Sequence, residues 1–329
     1  MRNSVKIVGS GIYLPQKVSS AIIEEKYNIP KGWAEKYSGV RSRHHVTTES
    51  VGFMAARAIE KALAVSSMKV SDLDLIISAG ATFDFPLPNQ SSVVKSELED
   101  GLLSSVGTFD VDTTCLSFVS AFEVAAKFLD GSQYRNIVVV SSEISSKGLN
   151  AKNFETQTLF GDGAAAFILS YDESHESHFV KGGLKTYTEG VFHTIIKGGG
   201  NQYFFKDYPY DEDLHSFDMK GKKLLRLAKQ KGPEFIQWFF EKLGVAANDI
   251  QVVIPHQASK VGIEIFKKAL PFEEEKIKEN ISAHGNCIAA SIPILLHQTI
   301  EAGELKRGEY CMLVGTSAGF SIGAVVFKY

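Results

Sequence analysis

Two distant stretches of this 329-residue chain read alike, and a chain that repeats itself at such a distance is constrained to fold as two copies of one unit. Residues 55–63 followed by 70–77 give an amphipathic helix pattern, a polar turn and a buried β-type run. Residues 235–243 followed by 245–254 give the same succession. Each copy continues with a second helix rich in small and apolar residues, starting near Cys115 in one and near Asn286 in the other. A strand follows at 136–140 or 310–314, then a Gly/Ala-rich segment at 161–169 or 319–327. The pattern predicts a duplicated βαβ-type α/β fold, with a first half over residues 1–172 and a second over 173–329. The seam is the polar segment 171–178, and residues 181–219, rich in Gly and aromatics, read as a strand-and-loop excursion over the core.

The repeat is expected to place Cys115 and Asn286 at equivalent helix starts, while His256 follows the strand Val252-Val253-Ile254. Three reactive residue types would thus meet at one end of a two-fold core, where open α/β sheets bind ligands. A thiol at a helix N-terminus faces unpaired N–H groups and the positive end of the dipole, which predicts a lowered pKa and a nucleophilic thiolate. Taken singly, each residue has a plainer reading: a small buried hydrophobe, a core histidine, a helix cap.

Composition narrows the functional classes. With 44% hydrophobic and 22% charged residues the chain is that of an ordinary soluble globular protein. Three cysteines cannot all pair, no charged-then-apolar leader opens the sequence, and no apolar run reaches the ~18 residues of a membrane span. Reduced thiols, a cytoplasmic location and no membrane partner are expected. A net charge of −3 argues against nucleic acid as a partner.

Several motifs fail on their context. Gly315-Thr316-Ser317-Ala318-Gly319 matches a hydrolase nucleophile elbow, but neither His nor an acid follows it, so a glycine-bearing turn between strands is expected. Gly9-Ser10-Gly11 lacks the third glycine of a dinucleotide fingerprint. His175 and His178 lie in a polar linker without a third ligand, so no metal site is expected. His44-His45 reads as a surface or helix-flanking pair.

Thr113-Thr114-Cys115-Leu116-Ser117-Phe118, Pro255-His256-Gln257-Ala258-Ser259 and Gly285-Asn286-Cys287-Ile288-Ala289-Ala290-Ser291 remain. Taken with Ile7 to Pro15, Trp33, Gly39 to His44, Phe160 to Ala164 and the Gly319 to Gly323 tail, they resemble the β-ketoacyl-acyl-carrier-protein synthase III family of thiolase-fold condensing enzymes. The resemblance covers nearly the whole chain. It implies a thiolase-like five-layered αβαβα fold made of two pseudo-repeated halves, a homodimer, and Cys115, His256 and Asn286 as catalytic residues. It also implies an oxyanion hole formed by the Cys115 and Ala318 amides, and a ring, Trp33, that stacks on coenzyme A. No permanent cofactor is implied. Acyl-coenzyme A or acyl-carrier-protein (phosphopantetheine) thioesters and a malonyl-type thioester would be substrates. An acyltransferase of the same fold, or a non-catalytic partner subunit, are the alternatives.

The chain departs from the family pattern in places. Tyr37 and Phe154 stand where the resemblance leads us to expect arginines that assist coenzyme A binding, and Cys287 replaces a more usual Thr. Leu87 looks like the residue that reaches across the dimer to the acyl pocket. Lys222, Arg226 and Lys229 share a predicted helix face and, with Lys260, Lys267 and Lys268, make a candidate basic footprint for an acidic carrier protein.

Overall fold

The computed structural model describes residues 3–241 and 243–329. The chain runs through β1 (Asn3–Ser4), β2 (Lys6–Tyr13), β3 (Gln16–Ser19), α1 (Ser20–Lys26), β4 (Ser42–His45), α2 (Val51–Ser66), β5 (Leu75–Ala79), α3 (Gln90–Ser96), β6 (Gly107–Val111), α4 (Ser117–Phe128), β7 (Asn136–Glu143), α5 (Phe154–Leu159) and β8 (Gly163–Ser170). It continues through β9 (His178–Thr186), β10 (Thr194–Ile195), α6 (Glu212–His215), β11 (Asp218–Met219), α7 (Gly221–Phe240), β12 (Ile250–Pro255), α8 (Lys260–Ala269), α9 (Ile281–His284), α10 (Ser291–Glu301), β13 (Tyr310–Ser317) and β14 (Ser321–Lys328).

The duplication is visible in the pairing. One sheet has the order β2-β8-β7-β5-β6 and the other β1-β9-β14-β13-β12. In the first, β2/β8 and β8/β7 are antiparallel while β7/β5 and β5/β6 are parallel. In the second, β9/β14 and β14/β13 are antiparallel and β13/β12 parallel. The counterpart of β6 has shrunk to one parallel bridge, Val253 to Ile277. Residues 178–186 are therefore a full strand of the second sheet, which corrects the expected start of the excursion. Only the stretch after Thr186 wanders, with the short β10/β11 pair inside it.

Alternation along the strands builds the layers, because successive side chains leave a strand on opposite faces. Ile137 and Val139 of β7, Phe167 of β8, Ile254 of β12 and Leu313 of β13 point inward, onto α4 and α10 between the sheets. Val138, Val140 and Ile168 point outward onto α2. Val253, Met312 and Val326 point outward onto α7. Both sheets are thus covered on both faces, which gives the five layers that the resemblance implies and explains the apolar runs in the strands. The Gly9-Ser10-Gly11 glycines serve this packing: a Cβ on Gly9 would lie 2.3 Å from the Ala62 carbonyl oxygen of α2, and one on Gly11 2.5 Å from that of Ala58.

Candidate active site

The central layer delivers Cys115. It sits in a 3-10 turn, Thr114–Leu116, immediately before α4, and so precedes the helix rather than opening it. Asp112 Oδ1 accepts the Thr114 N–H at 2.7 Å, Ser117 Oγ accepts the Thr113 N–H at 3.0 Å, and Thr114 takes a φ of 52°. The second half repeats this turn. Asn286 Oδ1 accepts the Ile288 N–H at 2.9 Å, Ser291 Oγ accepts the Cys287 N–H at 2.9 Å, and Ile288 has a φ of 48°. Asn286 is thus the counterpart of Asp112, and Cys115 that of Ala289. The two reactive residues are three positions out of register, correcting the expected equivalence, because a one-dimensional reading could not count the residues of an unseen turn.

The Cys115 turn packs on both the Ile288–Ala290 turn and β13. His256 follows β12, and Gly315 of β13 lets it approach: a Cβ on Gly315 would lie 2.5 Å from His256 Cβ and 3.4 Å from Leu116 Cδ2. Asn286 Nδ2 donates to the Ala258 carbonyl at 3.2 Å, tying the asparagine to the His256 loop and leaving the second amide hydrogen uncommitted by that bond. The Cys115, His256 and Asn286 segments therefore share one end of the pseudo-two-fold core. His256 and Asn286 are 6% and 5% exposed, and Cys115 is partly exposed.

Burial and the carboxyl group of Glu143 push the Cys115 thiol up to about 12, against the amides of Ala318 and of Cys115 itself, which favour the thiolate and lower it. The lowered pKa expected of a helix N-terminus is overturned: desolvation outweighs the helix end. The same two amides are those the resemblance implies for an oxyanion hole, and both face the sulfur. Ala318 and Gly319 form the turn between β13 and β14, with Gly319 at a φ of 115°, as the hairpin reading of that motif expected. Burial lowers His256 to about 4, so its imidazole is neutral at physiological pH. Its Nδ1 is buried without a hydrogen-bond partner among the described residues.

Glu143 escaped the sequence reading. It ends β7 fully buried, and its carboxyl group accepts from the Ala81 and Thr82 amides at 2.9 and 3.0 Å and from Thr82 Oγ1 at 2.6 Å. The Ala289 amide favours the charged carboxylate as these donors do, but burial outweighs them and raises it to about 8. The sequence signal was an acid a few residues beyond the apolar run Ile137-Val138-Val139-Val140.

The outer features fall as follows. Trp33 lies between buried Ala34 and exposed Gly32, whose amides donate to the Glu24 carboxylate at 2.9 and 2.8 Å. Its ring centroid is 4.8 Å from that of Tyr37 and 6.2 Å from that of Phe154, so the two residues standing in place of arginines close around it as an aromatic cluster. Lys222, Arg226 and Lys229 are exposed on α7, and Lys260 is exposed at the start of α8, its stem beside Gly39. Lys267 leaves the expected basic footprint, since it pairs with Glu279 at 3.2 Å and Glu264 at 3.8 Å. Leu87 projects at 86% exposure. His44 is not a surface residue: it is buried in β4 and stacks on His284 with centroids 5.4 Å apart.

This fold and this end of it define a condensing-enzyme type of thiolase fold, and comparison with known proteins gives the family. Residues 109–188 match the model of 3-oxoacyl-[acyl-carrier-protein] synthase III, and residues 240–329 that of its C-terminal part. The chain is 31% identical over 328 residues to the β-ketoacyl-[acyl-carrier-protein] synthase III of Coxiella burnetii (strain RSA 493 / Nine Mile phase I), covering 98% of each chain. It is 29% identical over 325 residues to that of Aquifex aeolicus, covering 98% of this chain and 99% of the other. The crystal structure of the latter organism's 3-oxoacyl-[acyl-carrier-protein] synthase III superposes with a TM-score of 0.87 at 28% identity, over 99% of this chain and 100% of that one. The chain belongs to the β-ketoacyl-[acyl-carrier-protein] synthase III family of condensing acyltransferases.

Proposed function

We propose that this protein loads an acyl group from a thioester onto Cys115 and condenses it with a malonyl-type thioester, releasing CO₂ and a β-keto product. In the first stage Cys115 Sγ attacks the thioester carbonyl, and the oxyanion is met by the N–H groups of Cys115 and Ala318. The thiol proton passes to the departing carrier thiol as the old C–S bond breaks. In the second stage the malonyl carbon–carboxylate bond breaks, CO₂ leaves, and the enolate attacks the acyl carbonyl, returning the electron pair of the acyl–sulfur bond to Cys115. His256 and Asn286 donate hydrogen bonds to the enolate oxygen. An imidazole whose Nδ1 meets no acceptor carries its proton on Nε2, and an amide donates without changing charge.

The observation that carries this reading is the packing of the Cys115 turn against both the Asn286 turn and β13, with Asn286 tied to the His256 loop at 3.2 Å. Incubation with acyl-coenzyme A and acyl-carrier-protein thioesters, followed by intact mass measurement, tests it. A mass gain in the wild type that is absent in Cys115→Ala supports the acyl-enzyme, and no gain with any donor refutes it.

The Trp33 surroundings favour a carrier-protein-bound donor. Coenzyme A brings phosphates that seek guanidinium groups. Tyr37 and Phe154 offer rings instead, while Lys222, Arg226 and Lys260 offer an exposed basic surface to an acidic protein. A homodimer completes the proposal. β6 is a sheet edge, α3 packs on it, and the segments flanking α3 expose Phe83, Phe85, Leu87, Leu102 and Leu103. Pairing of two such edges would cover them and carry Leu87 toward the partner. Among the described residues no helix is long and apolar enough to cross a membrane, and all three cysteines are free thiols, which suits the cytoplasm.

A further inference from the structure

The duplicated turn has two occupants. In the first half the turn amide of Cys115 faces the cysteine's own sulfur, which also meets the Ala318 amide contributed by the end of the second half's hairpin. In the second half the equivalent amide, that of Ala289, faces the carboxyl group of Glu143, contributed by the end of β7. Glu143 and the segment around Ala318 end corresponding strands, β7 and β13, so the two turns are closed by the same device from opposite halves.

We propose that Glu143 is a positioning residue for the condensation, whose carboxyl group holds the Asn286 turn and the loop leading to Leu87 in register with Cys115. One side of the carboxyl group takes the Ala81 and Thr82 amides and the Thr82 hydroxyl, fixing the chain as it leaves β5. A side chain at Gly80 would come within 3.2 Å of Glu143 Oε1, and the Gly80 carbonyl accepts from Ser117 Oγ of α4 at 3.4 Å, so this loop is also tied to the helix behind Cys115. The Ala289 amide lies three residues beyond Asn286, in the turn whose other end Asn286 itself caps through Ile288. Three donors thus fix the fully buried carboxyl group to the segment that follows β5, and β7, which carries it, packs on the turn that precedes α10, where it meets the Ala289 amide. A residue so placed acts through Asn286 and the acyl loop without needing to touch substrate.

This inference rests on the condensation proposed above, and its test separates the two. Wild type is first loaded at Cys115 and the acyl-enzyme counted by intact mass, so absence of loading there defeats the functional reading alone. Condensation is then started with malonyl carrier protein, and product is measured per acylated Cys115 for wild type, Glu143→Gln and Glu143→Ala. Small misplacements of reacting groups cost up to about 10²-fold. A loss of about tenfold per loaded site is expected in Glu143→Gln, which keeps shape but surrenders an acceptor, and a loss approaching a hundredfold in Glu143→Ala, with loading much less affected. A purely packing role would lower the folded fraction and leave the rate per loaded site at the wild-type value. That result overturns the proposal, and if Glu143→Ala does not fold, Glu143→Gln decides.

Discussion

Asn286 occupies in the second half the place that Asp112 holds in the first. Each side-chain oxygen accepts the N–H two residues on, at 2.9 and 2.7 Å, and each turn continues through a residue with φ near 50°, 48° at Ile288 and 52° at Thr114. One copy carries a carboxylate at this position and the other an amide. The cap needs only an oxygen, so the cap alone does not explain the amide. What the amide adds is Nδ2, which donates to Ala258 beside His256.

Asn286→Asp is therefore expected to keep the turn and lose the donor. The new carboxylate would face the Ala258 carbonyl and repel a malonyl group, and loss of one such donor typically costs about 10²–10³-fold in rate. CO₂ release from malonyl carrier protein should fall by that order while Cys115 still gains acyl mass. Parallel loss of both activities would show that Asn286 serves loading as well.

The aromatic cluster around Trp33 makes a separate prediction about the donor. Tyr37→Arg combined with Phe154→Arg should lower KM for acyl-coenzyme A about tenfold, roughly the 1.4 kcal/mol of one charge-assisted contact. The KM for the acyl-carrier-protein should change little. Steady-state kinetics with both donors, in wild type and double variant, reads the ratio directly.

Acid should weaken the fold through its buried histidines. Burial, followed by His44 and Lys17, depresses His284 to about 4, from 6.5 in an exposed chain. Between those values the unfolded chain binds a proton that the folded protein refuses, so stability rises with pH across the window and is lost as pH falls from about 6.5 to about 4. Urea unfolding of wild type and His284→Gln at several pH values in that range should give a steeper acid loss for wild type. Equal slopes would contradict a neutral buried His284.

Packing of α2 on β2 is open to a simpler test. Gly9→Ala sets a methyl group 2.3 Å from the Ala62 carbonyl oxygen, a contact that only a shift of helix or strand relieves. Overpacking of this kind costs about 1–3 kcal/mol, which chemical denaturation should register without change in the per-site activity of the remaining folded protein.

Much of this molecule was legible in its one-dimensional pattern. The central strands of the two sheets are apolar runs suited to burial on both faces, and their order repeats, so the duplication could be read from periodicity, while the five layers followed from the family resemblance. Cys115, His256 and Asn286 each stood in a segment of distinctive residues beside a strand or helix end, which a sequence displays.

The amino-acid sequence by itself determined which residues can be buried, where the chain turns and that it is built as two copies of one unit, because these follow from local pattern and backbone preference. Tertiary structure alone decided the register of the duplicated turn, the high pKa of Cys115 and the role open to Glu143. Each depends on what the other half of the chain brings up against a residue: desolvation by packed neighbours outweighs a helix end at Cys115, and the partners of Glu143 come from segments as far apart as Ala81 and Ala289. Burial and long-range hydrogen bonding are properties of an assembled core, and no local stretch of chain encodes them.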